Sequence, residues 1–247
     1  MEVKEPGSVP LELTHVTAGY GKKIVLNDIS FALRPAEIFG LVGVNGAGKT
    51  TMIRSILDLR RAQGAVSLFG EANTSARSRR HLIYLPEKFQ PSSQLKGYEH
   101  LSILLAYFNQ TLDRARARTV AAALDLDPEA LERTVRTYSK GMGQKLGLVG
   151  SLLVNAPLMI LDEPMSGLDP RARVLLKDQL LEAKRAGRSI FFSSHILADI
   201  EEICDRIGIL HGGRIIFVGS PKDFVAQYAA PSLERAFLLA LERTEAA

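Results

Sequence analysis

The sequence predicts an α/β fold built on a mostly parallel, doubly wound sheet. Three observations lead there. Residues 38–43 (IFGLVG) form an apolar run of strand length that enters a glycine-rich turn and then a helix-like stretch over 50–59. A second apolar run, LMIL at 158–161, ends in two acids. Beyond residue 153 strand and helix candidates alternate: 158–161, 171–185, 189–192 and 196–203. Alternation on this scale is the pattern of parallel strands joined by crossover helices.

The remaining elements follow in chain order. Residues 11–16 (LELTHV) alternate apolar and polar side chains, and 23–26 and 29–33 read as two further strands. From about 88 to 153 the pattern becomes helical. Leu101, Leu104, Leu105 and Phe108 fall at three- to four-residue spacing within 98–108, and 114–124 and 141–153 are further helix candidates. This region reads as a helical insertion, about 88–153, into one domain spanning 1–247. Residues 207–210 and 214–218 flank His211-Gly212-Gly213 as a hairpin, and a tail over about 221–247 is expected to be helical, with Ser232 as a capping signal.

Composition narrows the class. The 46% hydrophobic content is enough for a sizeable core. No run of about 20 apolar residues is present to cross a bilayer; the longest uncharged stretch, 146–161, is broken by Gly147, Gly150, Asn155 and Pro157. It is expected to be a buried helix end, a turn and a strand. Residues 1–6 lack the apolar stretch of a signal peptide. The single cysteine, Cys204, rules out an intramolecular disulfide framework and fits a reducing compartment. A cytoplasmic protein is the expectation. With no Trp and 6% aromatics, the +4 net charge carries no nucleic-acid signature.

Gly43-Val44-Asn45-Gly46-Ala47-Gly48-Lys49-Thr50 fits the phosphate-binding pattern G-x-x-x-x-G-K-[ST], placed between a strand and a helix as the chemistry requires. Its glycines let backbone N–H groups converge on phosphate oxygens, and the following helix adds its positive end. Lys49 is expected at the outer phosphates and the Thr50 hydroxyl on Mg²⁺. Asp162, ending the second apolar strand, is expected to hold Mg²⁺ through its water shell. Glu163, one residue on, is placed to take a proton from the attacking water.

Tyr138-Ser139-Lys140-Gly141-Met142 narrows the choice among phosphate-loop proteins: it resembles the L-S-G-G-Q signature of ABC (ATP-binding cassette) ATPases. Tyr138, Lys140 and Met142 depart from the usual form, while Ser139 and Gly141 keep the positions that contact phosphate in that family. The resemblance extends over roughly 11–219. It implies that Tyr20 stacks on adenine, that residues 164–169 up to Asp169 form the loop crossing a dimer interface, and that His195 bonds the γ-phosphate and the attacking water. It further implies an ABC ATPase core with an N-terminal antiparallel β-subdomain, and a nucleotide site formed by Asn45, Gly46, Ala47, Gly48, Lys49, Thr50 and Thr51 with Gly43. Lys49, Glu163 and His195 would be its catalytic residues, and Thr50, Asp162 and Glu87 its metal-side groups. Glu87 stands where the family usually carries Gln, and Gln90 is the alternative for that role.

In the resembled family ATP is sandwiched between two cassettes, so a homodimer or paired cassette is implied. The cassette powers a permease on a separate chain and is peripheral to the inner face of the membrane. YLPE at 84–87, YSKGM at 138–142 and the SLERAF tail at 232–237 look like bacterial single-cassette exporters. A non-transport ATPase of the iron–sulfur assembly kind is the alternative. Too few residues separate Lys49 from Ser139 for the coiled coils of chromosome-maintenance ATPases. The segment 87–107, with Phe89, Leu95, Tyr98 and Tyr107, is expected to dock the permease.

Overall fold

The computed structural model describes residues 8–245, so the residues 1–6 read against a signal peptide, and the last two of the tail, lie outside it. Two sheets organise the chain. The first is antiparallel and consists of β1 (Leu11–Tyr20), β2 (Lys23–Leu33), and, after β3 (Ile38–Val42) and α1 (Lys49–Ile56), β4 (Ala62–Leu68) and β5 (Glu71–Ala72), in the order β2-β1-β4-β5. A short α2 (Ala76–Arg79) leads to β6 (Leu82–Leu85). Three helices follow: α3 (Gly97–Tyr107), α4 (Arg114–Ala123) and α5 (Lys140–Leu153). Then come β7 (Leu158–Asp162), α6 (Pro170–Arg185), β8 (Ser189–Ser194), α7 (Leu197–Ile203), β9 (Arg206–His211), β10 (Arg214–Gly219), α8 (Pro221–Gln227) and α9 (Leu233–Glu245).

The second sheet runs β10-β9-β3-β8-β7-β6, parallel except for the β9–β10 hairpin. Both faces of its central strands β3, β8 and β7 are covered, which is why these runs are largely apolar rather than alternating. Ile38, Val42, Met159, Leu161, Ile190 and Phe192 face one core, formed with α3–α9. Phe39, Leu41, Leu158, Ile160 and Phe191 face the other, which holds α1 between the two sheets. Stacked rings tie the sheets together: Phe31 lies 5.1 Å from Phe39 and 6.0 Å from Phe191, centroid to centroid.

Four local differences separate this fold from the sequence reading. The runs 23–26 and 29–33 form one continuous strand, because a bulge absorbs the polar Asn27-Asp28 pair. Asp28 and His15 opposite it both take positive φ (57° and 51°), and His15 Nδ1 meets Asp28 Oδ1 at 2.7 Å. Strand β4 escaped the reading because Gln63 and Gly64 dilute its pattern; Gly64 is needed there, since a Cβ would come within 2.3 Å of the His15 carbonyl oxygen. The edge strand β6, stopped by Pro86, is likewise absent from the strands read in the sequence. Finally, Tyr98 is only 4% exposed, with Arg114 over its ring at 4.5 Å, and Phe89 packs over Gly147, where a Cβ would strike it at 2.6 Å. Tyr98 therefore belongs to the core and is not free to dock a partner, whereas Phe89 is partly buried against that core. The exposed apolar side chains of α3 are Ile103 and Tyr107. Among the described residues no helix is long and apolar enough to cross a membrane.

Candidate functional site

The site forms where β3, β8 and β7 end side by side. Val42 pairs with Ser194 and Asp162 with Ser193, so the three loops that follow these strands open on one crevice, outside the carboxyl ends of a parallel sheet. From β3 the chain curls through Gly46 (φ 84°) and Gly48 (φ 113°), conformations that side-chain-bearing residues rarely adopt. At Gly43 a Cβ would stand 2.7 Å from the Leu210 carbonyl oxygen. No side chain caps α1 at Gly48 and no acid lies in its first turn, so the helix presents bare N–H groups and a positive end. Such a cradle is built for phosphate.

Three chemically active side chains meet at the inner end of the cradle. The Lys49 ammonium donates to the Gly43 carbonyl at 2.7 Å and lies 3.2 Å from Glu163 Oε1, with both side chains at most 10% exposed. The other Glu163 oxygen accepts from His195 Nδ1 at 2.9 Å. A carboxylate only accepts, so Nδ1 carries the proton of the ring and Nε2 is left for a second partner. Glu163 itself sits at φ 48°, a left-handed conformation that costs about 1–3 kcal/mol unless its surroundings enforce it. Asp162, 1% exposed, lies behind it and accepts from the Ser193 hydroxyl at 2.6 Å. Burial and then the Asp162 charge push the nearby Tyr84 phenol up to about 12.

At the outer end stands Tyr20, 43% exposed. Arg60 covers its ring at 4.1 Å and donates to the Gly19 carbonyl, while Arg54 donates to its hydroxyl at 3.4 Å. Hydrogen bonding to Thr51 and Arg54 draws the phenol pKa down. Between the two ends lies a cleft of about 560 Å³, within the range of small-molecule sites. It is lined by Tyr20, Asn45, Gly46, Gly48, Lys49, Thr50, Thr51, Glu87, Glu163 and His195, all foreseen from sequence. Lys23, Val25 and Ser166 also line it and were missed. Lys23 and Val25 enter through the β1–β2 hairpin, for which the sequence has no chemical marker.

The other expected residues stand apart from this lining. Gly43 and Ala47 shape the loop from behind. Ser139, exposed, caps α5 by accepting from the Met142 N–H at 3.2 Å. Gly141 lies against the Gly167 carbonyl, a Cβ there being 3.8 Å away. Asp169 caps α6 by accepting from the Ala172 N–H at 2.9 Å, and that bond holds its carboxyl below the usual range. Gln90 is exposed and outside the lining, whereas Glu87 is in it. Among the described residues no group of three or more His, Cys, Asp or Glu side chains is arranged to hold a metal ion by itself. The donors here, a Thr50 hydroxyl with the Asp162 and Glu87 carboxylates, fit Mg²⁺, which takes few protein ligands and keeps waters and substrate phosphates for the rest.

Comparison with known proteins places these features in context. A family model described as "ABC transporter" matches residues 26–166. An uncharacterized ABC transporter ATP-binding protein of Synechocystis is 40% identical over 200 residues, covering 79% of this chain and 56% of the relative, so the chain spans little more than half that protein's length. The Nod factor export ATP-binding protein I of Rhizobium leguminosarum is 35% identical over 234 residues, covering 92% of this chain and 74% of that one. A solved structure of an ATP-binding subunit of an ABC transporter superposes with a TM-score of 0.85 at 33% identity, over 93% of this chain and 98% of the other.

Proposed function

The chain belongs to the ABC transporter family, as an ATP-binding ATPase, and from that premise we propose that it drives a membrane permease carried on a separate polypeptide, in the direction of export. The observation that carries the reading is the division of the phosphate-binding parts. Lys49, Glu163 and His195 close the inner end of the cleft, while Ser139 and Gly141 stand outside it at the amino end of α5. A site split in this way is completed when the α5 end of a second cassette faces the cleft, so two copies sandwich two ATP molecules.

Within the cleft Tyr20 receives the adenine and the loop 43–50 receives the phosphates. Lys49 neutralises the outer phosphate oxygens. Glu163 takes the proton of the attacking water as its oxygen bonds the γ-phosphorus and the bond to the β-phosphate oxygen breaks, releasing ADP and phosphate. His195, bonded to Glu163, holds that carboxylate in place and stabilises charge on the transferring group. Thr50 and Asp162, with Glu87 at the mouth, would hold Mg²⁺, which supplies neutralisation of the phosphate oxygens. Glu87 follows β6 and leads into the helices 97–153, so it is suited to pass the state of the γ-phosphate to them. Ile103 and Tyr107, exposed on α3, are the apolar surface those helices offer the permease. This makes the protein cytoplasmic and peripheral to the membrane. The export direction draws on the name of the Rhizobium relative.

Lys49→Ala tests the reading. It removes the ammonium without touching the core, so ATP hydrolysis should be lost and nucleotide affinity fall by about 100-fold, as for a buried charge-assisted bond. Calorimetry that shows unchanged ATP affinity would sink the assignment.

A further inference from the structure

Strand β8 and the residue that follows it touch Glu163 at two places. Two residues beyond Ser193, His195 bonds the Glu163 carboxylate. Ser193 itself bonds the Glu163 backbone: its hydroxyl accepts the Glu163 N–H at 2.9 Å and donates its single proton to Asp162 Oδ1 at 2.6 Å. Ser193 is 0% exposed, and the β7–β8 register sets it opposite Asp162. One hydroxyl thus joins the carboxylate on the metal side to the main chain of the proton acceptor.

That junction matters because Glu163 stands in a left-handed conformation without being glycine. Such a residue keeps its conformation only where neighbours over-determine it. Without the Ser193 hydroxyl, the Glu163 N–H would be a buried donor with no acceptor there, and the peptide would gain by turning toward ordinary φ values. A turn of this peptide swings the carboxylate away from Lys49 and His195. The phosphate cradle is carried by a different strand, β3, and would stay where it is. We propose that Ser193 is a positioning residue for ATP hydrolysis, its hydroxyl fixing the Glu163 main chain so that the carboxylate stays aimed between Lys49 and His195. The proposal rests on Glu163 being the proton acceptor.

Ser193→Ala should lower kcat by about 30-fold while the ATP dissociation constant, measured by calorimetry with and without Mg²⁺, stays within about threefold. The near-isosteric pair Ser193→Thr and Ser193→Val isolates the hydroxyl: Thr should restore most of kcat and Val should not. A double-mutant cycle supplies the decisive readout. In a Glu163→Gln background, where no carboxylate remains to be aimed, adding Ser193→Ala should change residual hydrolysis less than about twofold. If Glu163→Gln alone hydrolyses ATP like the wild type, the proton-acceptor reading fails. If Glu163→Gln is slow and Ser193→Ala slows it again by the full factor, the positioning role is overturned while that reading stands. Failure of both the Ala and Val variants to fold would make the hydroxyl a requirement of the core, and would likewise overturn the proposal.

Discussion

Glu163→Gln should tighten ATP binding as it slows hydrolysis. Glu163 Oε1 lies 3.2 Å from the Lys49 ammonium, with both side chains at most 10% exposed. At an effective dielectric constant of about 20, a unit pair at that distance attracts by about 5 kcal/mol. The phosphates must compete with this attraction for Lys49, and they meet a negative charge at the same place. The Gln amide oxygen still accepts a hydrogen bond from Lys49, and the buried ammonium loses its counter-charge, so only part of the 5 kcal/mol is released to the nucleotide. If about a quarter is released, MgATP affinity rises about tenfold. Hydrolysis should fall by about 10²–10⁴, the usual contribution of a positioned base. Titration calorimetry gives the first quantity and phosphate release the second. Unchanged affinity together with a turnover within threefold of wild type would refute both the electrostatic competition and the assignment of the base.

Two further predictions concern arginines. Arg188 donates to the carbonyls of Ser151 (3.0 Å), Leu152 (3.3 Å) and Ala156 (2.9 Å) around the carboxyl end of α5, and although burial pushes its pKa down to about 10 it stays charged at neutral pH. Arg188→Ala should cost about 2–4 kcal/mol and lower the melting temperature by about 5–15 °C, and a calorimetric shift under 2 °C would contradict this. Arg60 backs the Tyr20 ring, so Arg60→Ala should weaken ATP binding by about three- to tenfold while leaving inorganic tripolyphosphate binding unchanged. Equal weakening of both ligands would show that Arg60 acts on the phosphate loop instead.

Much of the site was legible because its chemistry depends on residues adjacent in the chain. The curl through Gly46 and Gly48 into α1 is a local matter of φ angles and helix ends, so residues 43–50 announce it. The apolar strand that runs into Asp162-Glu163 likewise carries its meaning in six consecutive residues, 158–163. Elements with mixed composition were harder: β4 holds Gly64 because a neighbouring strand presses against it, and a one-dimensional pattern carries no trace of that pressure. Tyr98 illustrates the converse, since an aromatic at the start of a helix is equally compatible with a docking surface and with the buried position under Arg114 that it occupies.

The sequence alone therefore determined the fold class, the phosphate loop, the acidic pair and the family to which they belong, all of which rest on short-range geometry. Tertiary structure alone decided which side chains meet: Lys49 with Glu163, Glu163 with His195, and Ser193 with both Asp162 and the Glu163 main chain. These partners lie on, or in the segments just after, three strands that are distant in sequence and adjacent in the sheet. Their contacts are set by strand order and register, which follow from burying both faces of the sheet at once. That is a property of the packed whole, and no window of the sequence contains it.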